Sequence, residues 1–241
     1  MLLLCVVGTG LSGGCAASIP RFPPASAAET LETVSANFAK IASISGPCRV
    51  TLVSEAGDSI TLDAAIAAVP PSKLRIRAWK FDRAVFDATI IGDDVWVLPI
   101  AVPAERAGSM PQLPTKQLSQ AFGLLGPAYF KQARVVDEKP AMLTVVGPGL
   151  GDSDLVCEIE RATRTPRRFV AQGNTPVGGA REVVPALTLE AYQFTEGVAW
   201  PSRLRFVMGR ARIVIDMRGV TLNGEVEEAA FVPPKRAERS R

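Results

Sequence analysis

The feature that most constrains this chain is a period-two alternation of apolar and polar residues that starts near residue 48 and recurs, between turns, almost to the C-terminus. Cys48, Val50 and Leu52 face one way, and Arg49 and Thr51 the other. Successive side chains of a strand point to opposite faces, so this spacing belongs to a sheet with one buried and one solvated side. Ala56-Gly57-Asp58 supplies a turn, and Ile60, Leu62, Ala64 and Ile66 make the next apolar row. After Pro70-Pro71, Leu74, Ile76 and Ala78 alternate with Arg75, Arg77 and Trp79. A hairpin around Phe81-Asp82-Arg83 leads into residues 85–91, and Gly92-Asp93-Asp94 turns into residues 95–98. Five strands joined by such short turns predict an antiparallel meander.

Further strands are predicted at 141–146, 155–160, 167–171, 187–194, 203–208, 212–217 and 220–222. Residues 99–114 hold four prolines and read as a loop. Leu118, Phe122, Leu125, Tyr129 and Phe130 predict one or two short helices, split by Gly126-Pro127. Residues 173–185 read as a mobile loop, and 235–241 as a polar tail with nothing to pack.

One amphipathic helix precedes the strands. Ser26 and Glu29 have capping-box spacing, Leu31, Val34, Phe38 and Ile41 recur on one face, and Gly46-Pro47 ends the segment. About a dozen strands around one helix do not divide into two domains. A long curved antiparallel sheet with the helix in its hollow buries both apolar faces.

Composition narrows the chemistry. None of the 241 residues is histidine, so no imidazole can serve as a catalytic base or as a zinc or iron ligand. No acid/base pair, nucleophile constellation, metal set or cofactor site can be assembled, and the expected class is a non-enzymatic binder. The net charge is +3, and Arg164, Arg167 and Arg168 are too few for a nucleic-acid groove. A monomer without a nucleic-acid partner is expected.

The first fifteen residues, MLLLCVVGTGLSGGC, carry an apolar stretch from Leu2 to Val7, no charge, and small residues before Cys15. They read as an export leader. The same stretch matches a dinucleotide fingerprint, Gly8-Thr9-Gly10-Leu11-Ser12-Gly13. That motif needs a helix after its glycines, and Pro20, Pro23 and Pro24 would break one. A plain core strand is the other alternative. Ser12-Gly13-Gly14-Cys15 resembles the lipobox of bacterial lipoproteins, in which the cysteine is diacylated and becomes the new N-terminus. The usual Leu stands one place early, at Leu11, and no basic residue precedes the apolar core. The division expected is leader 1–15, flexible tether 16–27, one domain 28–234 and tail 235–241.

Three stretches resemble the LolA/LolB-like superfamily of bacterial lipoprotein carriers and outer-membrane lipoprotein receptors. They are the helix and strand of residues 31–53; the run Pro71-Ser72-Lys73-Leu74-Arg75-Ile76 with Ala84-Val85-Phe86-Asp87 and Gly92-Asp93-Asp94; and the ending, Tyr192, Trp200-Pro201-Ser202-Arg203-Leu204, Leu222-Asn223-Gly224-Glu225 and Phe231-Val232-Pro233-Pro234. The resemblance implies an unclosed antiparallel half-barrel of about eleven strands over a helical lid, mainly β. It implies acyl chains or lipoproteins as partners. Ala16, rather than Asp, implies an outer-membrane destination, lipid-anchored through Cys15 and facing the periplasm.

Leu52, Ile76, Leu204, Phe206 and Ile215 are the expected lining of a hydrophobic-ligand hollow. The alternative is an accessory outer-membrane lipoprotein whose hollow is filled by its own side chains. Trp79 and Phe81 are either core residues at a strand end or an exposed tip that meets a membrane or an incoming acyl chain. Cys48 and Cys157 are either a disulfide, as an oxidising periplasm allows, or two buried thiols. The run from Gly147 to Asp152 reads as a hairpin turn, and Asp93-Asp94 and Glu227-Glu228 as solvated turn charges, since adjacent strand carboxylates diverge.

Overall fold

The computed structural model describes residues 18–81, 83–92, 94–98, 122–149, 154–172, 186–235 and 237–240. The leader, Cys15, the glycine motif, the 99–114 loop, Leu118, Asp82, Asp93 and the 173–185 loop lie outside the described residues.

Helix α1 spans Ala27–Ala39. Its start is the expected capping box: the Ser26 hydroxyl accepts from the Glu29 N–H at 3.2 Å, and the Glu29 carboxylate accepts from the Ser26 N–H at 2.8 Å. The Ser26 backbone and side-chain hydrogen bonds hold the Glu29 carboxyl below its ordinary pKa. The helix stops at Lys40, earlier than Gly46-Pro47, because those two residues lie inside the first strand.

The strands are β1 (Ile44–Val53), β2 (Ser59–Val69), β3 (Lys73–Lys80), β4 (Arg83–Ile91), β5 (Asp94–Leu98), β6 (Arg134–Glu138), β7 (Met142–Pro148), β8 (Asp154–Glu160), β9 (Thr165–Gln172), β10 (Ala186–Thr195), β11 (Val198–Met208), β12 (Ala211–Asp216), β13 (Thr221–Leu222) and β14 (Glu238–Ser240). Helix α2 covers Pro127–Gln132, inside the helical region predicted from the sequence. The sheet runs β14-β5-β4-β3-β2-β1-β12-β11-β10-β9-β8-β7-β6, with β13 on β1, and every pair is antiparallel. β6 and β14 are its two unjoined ends, so the molecule is an open half-barrel with more strands than the eleven expected.

β12 and β13 share one side of β1. β13 pairs with Ile44 and Ser45, β12 with Arg49 to Val53, and Gly46-Pro47 sits at the junction. Proline has no N–H to donate and belongs where the ladder is interrupted. Gly46 has φ 137°, and a Cβ there would stand 2.9 Å from the Gly219 carbonyl oxygen, so only glycine fits.

The outer face carries charge in register. Asp63, Arg49, Asp216, Arg203 and Glu190 are successive cross-strand neighbours on β2, β1, β12, β11 and β10. Alternating signs suit a solvated face, where each pair is worth about 0–1 kcal/mol.

On β3 and β4 that face is covered by the C-terminal segment. Arg75 donates to both oxygens of buried Asp87, at 2.9 and 2.8 Å, and also to the Ala230 and Val232 carbonyls. Lys73 pairs with Glu228 at 2.6 Å, and Phe231 is buried beside it. The segment then supplies β14 to the edge of β5. This corrects the expectation of a free polar tail at 235–241, since backbone pairing needs no apolar side chains.

Arg75→Met should cost up to about 3–5 kcal/mol in urea unfolding, because it removes both hydrogen bonds from the buried Asp87 carboxylate and leaves it only the longer ion pair with Arg77 at 3.9 Å. Adding Asp87→Leu should restore most of the loss. An unchanged midpoint for Arg75→Met would refute the clamp.

Candidate hydrophobic-ligand site

The inner face is built from one long cross-strand row. Val145, Cys157, Phe169, Leu187, Phe206, Ile213, Leu52 and Ile60 are successive partners on β7, β8, β9, β10, β11, β12, β1 and β2. A second row, Leu189, Leu204, Ile215, Val50 and Leu62, runs beside it. Four of the five predicted lining residues fall in these two rows. Ile76 stands apart, in the row Ile66, Ile76, Ala88 and Val97.

The helices meet this face through aromatic rings. Phe38 of α1 stacks on Phe130 of α2 at 5.5 Å between centroids. Tyr129 lies edge-on to Phe130 and Phe169, each at 5.2 Å, and its hydroxyl donates to the Leu155 carbonyl at 2.7 Å. Burial drives the Tyr129 hydroxyl above its ordinary pKa, with the nearby Cys157 adding to the shift. A Cβ on Gly147 would stand 2.8 Å from the Tyr129 ring, so that glycine makes room for the aromatic. Asn37 ties α1 to β11, exchanging two hydrogen bonds of 2.8 Å with the Ala199 backbone.

All five predicted lining residues are buried, and they share one continuous core with Val34, Phe38, Phe122, Leu125, Tyr129 and Phe130. They form the sheet side of that core, and the helical aromatics belong to the same cluster. A groove of about 480 Å³ opens instead between α1 and α2. Ala28, Ala36, Ala39 and Ala133 are small enough to leave it empty, Leu31 and Phe130 give it apolar walls, and Glu32 and Lys131 are its charged members. Phe130 belongs to both the groove and the core. No sequence periodicity marks the groove; the only signal is a run of alanines on the helix face turned from the sheet.

Cys48 and Cys157 are buried free thiols. β1 and β8 are five strands apart in the sheet order, about 24 Å along the sheet at ~4.8 Å per step, whereas a disulfide needs Cα atoms within about 7 Å. The disulfide alternative is therefore the one the structure rejects. Burial pushes the Cys48 thiol up to about 12 and raises the Cys157 thiol as well.

Trp79 and Phe81 do not act as a pair. Trp79 is half-buried on the outer face, beside Asp63. Phe81 projects from the β3–β4 turn at 88 % exposure with φ 49°, and the Lys80 ammonium lies 5.5 Å from its ring. Among the described residues no helix is long and apolar enough to cross a membrane, and no group of three or more Cys, Asp or Glu could hold a metal.

No family model and no curated protein matches the chain by sequence. Solved structures do match in fold. A domain from Vibrio parahaemolyticus described as outer membrane lipoprotein-sorting is 12% identical, with a TM-score of 0.57, covering 84% of this chain and 94% of that one. A LolA superfamily protein from Nitrosomonas europaea is 13% identical, with a TM-score of 0.57 over 87% of this chain and 98% of that one. The fold is LolA-like. A DUF1329 family protein from Desulfovibrio piger shares this LolA-like fold, at 11% identity, TM-score 0.58, and coverage of 85% and 96%.

The buried thiols give a direct check of the LolA-like core. In a chain carrying Cys5→Ser and Cys15→Ser, neither remaining thiol should react with Ellman's reagent at pH 8 in the native state. Both should react in denaturant without reductant. A denatured chain with no free thiol would restore the disulfide.

Proposed function

We propose that this protein is a lipid-anchored envelope binder of acyl chains that serves lipid or lipoprotein transfer at the outer membrane. The observation that carries the reading is the LolA-like half-barrel, matched by a structure described as outer membrane lipoprotein-sorting, joined to an apolar groove at the helix pair. The groove lies within the ~300–1,000 Å³ usual for small-ligand sites. Each methylene it removes from water contributes about 0.8 kcal/mol, so a long acyl chain suits it better than a polar metabolite. Membrane attachment is assigned to Cys15, and Ala16 after it accords with an outer-membrane destination facing the periplasm. The role is binding, with no reaction assigned to it.

A second reading has one specific observation in its favour. The five inner-face residues are already packed, as expected of an accessory outer-membrane lipoprotein that carries no ligand. Ligand binding separates the two. A fluorescent fatty acid and a lipopeptide should compete for the protein, with little dependence on salt, because apolar burial drives both. Ala36→Trp, at an exposed position in the groove, should weaken both probes by tenfold or more (about 1.4 kcal/mol) without lowering stability. If the wild-type protein binds neither probe, the accessory-lipoprotein reading stands in place of the binder.

The anchor is tested by growth with a palmitate analogue. Cys15→Ser should abolish labelling and release the protein in soluble form, and Cys5→Ser should change neither. Label that persists in Cys15→Ser removes the anchor from the proposal.

A further inference from the structure

The stretch just before α1 is held to the body of the protein. The Phe22 N–H donates to the Ala162 carbonyl at 2.8 Å. Arg161, in the turn between β8 and β9, donates to the Ala25 carbonyl and pairs with Glu138 at 2.7 Å. Arg164 of the same turn lies 4.5 Å from the Phe22 ring centroid and donates to the Thr33 hydroxyl at 2.7 Å. Arg21 is close enough to Glu160 to help hold that carboxyl below its ordinary pKa, after the larger contribution from Arg167. Residues 21–25 are thus a strap on the β8–β9 turn. The sequence expectation of a flexible tether through residue 27 fails for this part, because a lone Phe among prolines gives no periodic signal.

Strand directions place that strap. Because neighbouring strands are antiparallel, the β8–β9 and β10–β11 turns and the start of β1 lie at one end of the strands. The β1–β2 and β3–β4 turns, with Phe81, lie at the other. α1 runs along the first end: Thr33 meets Arg164, Asn37 meets Ala199, and Lys40 donates to the Gly197 carbonyl. β3 alone, whose 8 residues make seven steps, separates the two ends by about 23 Å at ~3.3 Å per step.

Six residues, 16–21, separate Cys15 from Phe22. Fully extended, the seven steps reach about 24 Å. While the strap is docked, an acyl group on Cys15 stays within that distance of the β8–β9 turn. With the strands upright and the Phe81 tip at the bilayer, the same tether would have to run at almost full extension along the whole height of the sheet.

We propose that the strap sets the orientation of the anchored protein: the β8–β9 end of the half-barrel faces the bilayer that holds Cys15, and the Phe81 tip is turned away from it. The inference rests on the Cys15 anchor. It gives the tip a different partner from the one expected of a membrane-inserting loop. Phe81 is thus an exposed apolar group held in the left-handed region, which a bulky side chain rarely adopts, at the end away from the bilayer.

The test uses the acylated full-length protein in phosphatidylcholine/phosphatidylglycerol vesicles that contain an energy-acceptor lipid. A donor dye is attached at Ala162→Cys, in the strapped turn, or at Ala56→Cys, in the β1–β2 turn of the opposite end. Both positions are exposed. The donor at 162 should lose most of its intensity to the acceptor and the donor at 56 should keep most of its own. Phe22→Ala, which removes the ring under Arg164, should shrink that difference. Equal transfer from both sites, greater transfer from 56, or a difference untouched by Phe22→Ala overturns the orientation. A protein that neither takes up a palmitate label nor floats with vesicles takes the anchor down, and the orientation with it. One that floats but shows no difference sinks the orientation alone.

Discussion

The aromatic contact between the helix pair and the sheet is what the rest of the architecture depends on. A fourteen-strand antiparallel sheet has one apolar face, and an open barrel has no opposite wall to cover it. Phe38, Phe130 and Tyr129 provide the cover: Phe169, third in the eight-strand apolar row, receives Tyr129 and Phe130, and Phe38 stacks on Phe130. Gly147 is the counterpart on the sheet: its missing side chain is the space that the Tyr129 ring occupies. Beside that contact an empty volume remains between the two helices, walled largely by alanines and sharing Phe130 with the core.

The outer face solves the opposite problem, which is to stay in water without recruiting neighbours. One row of it, from Asp63 to Glu190, alternates Arg with Asp or Glu across five strands. Where the C-terminal segment crosses β3 and β4, the face becomes an interior and its polar groups need fixed partners. Arg75 supplies them by filling its guanidinium with two carboxylate oxygens and two backbone carbonyls. Its planar fork suits that fourfold role in a way a lysine could not.

How far the fold could be read in advance follows from the range of each cause. β2 and β3 alternate along most of their length, as does β1 from Cys48 to Leu52, and the buried positions there are ones the period marks. The Ser26 and Glu29 cap is a three-residue signal and is found in place. β6 was not predicted, since Arg134–Glu138 is exposed along its whole length and has no apolar face to alternate. The Gly46-Pro47 pair looked like a helix stop because its role depends on Gly219, more than 170 residues away. The strap was invisible for the same reason, being a contact between Phe22 and a turn at 161–164. Apolarity identified Leu52, Leu204, Phe206 and Ile215 as one face, but whether that face is open or covered is settled by the helices, not by the strands.

The exposed strand β6 has a consequence for the behaviour of the protein in a crowded compartment. It closes one end of the sheet with a row of backbone amides and carbonyls and two exposed valines, Val135 and Val136, the kind of edge on which copies of a chain stack into fibrils. Three features oppose that stacking. The strand is only five residues long, its register shifts between Val135 and Asp137, and Arg134, Asp137 and Glu138 are already paired with Asp154, Lys139 and Arg161. A half-barrel that keeps its mouth open cannot hide its last strand by closure, so it blunts that strand by making it short, kinked and charged. An unclosed sheet and a blunted last strand thus occur together in this chain, the second offsetting the exposed edge that the first leaves.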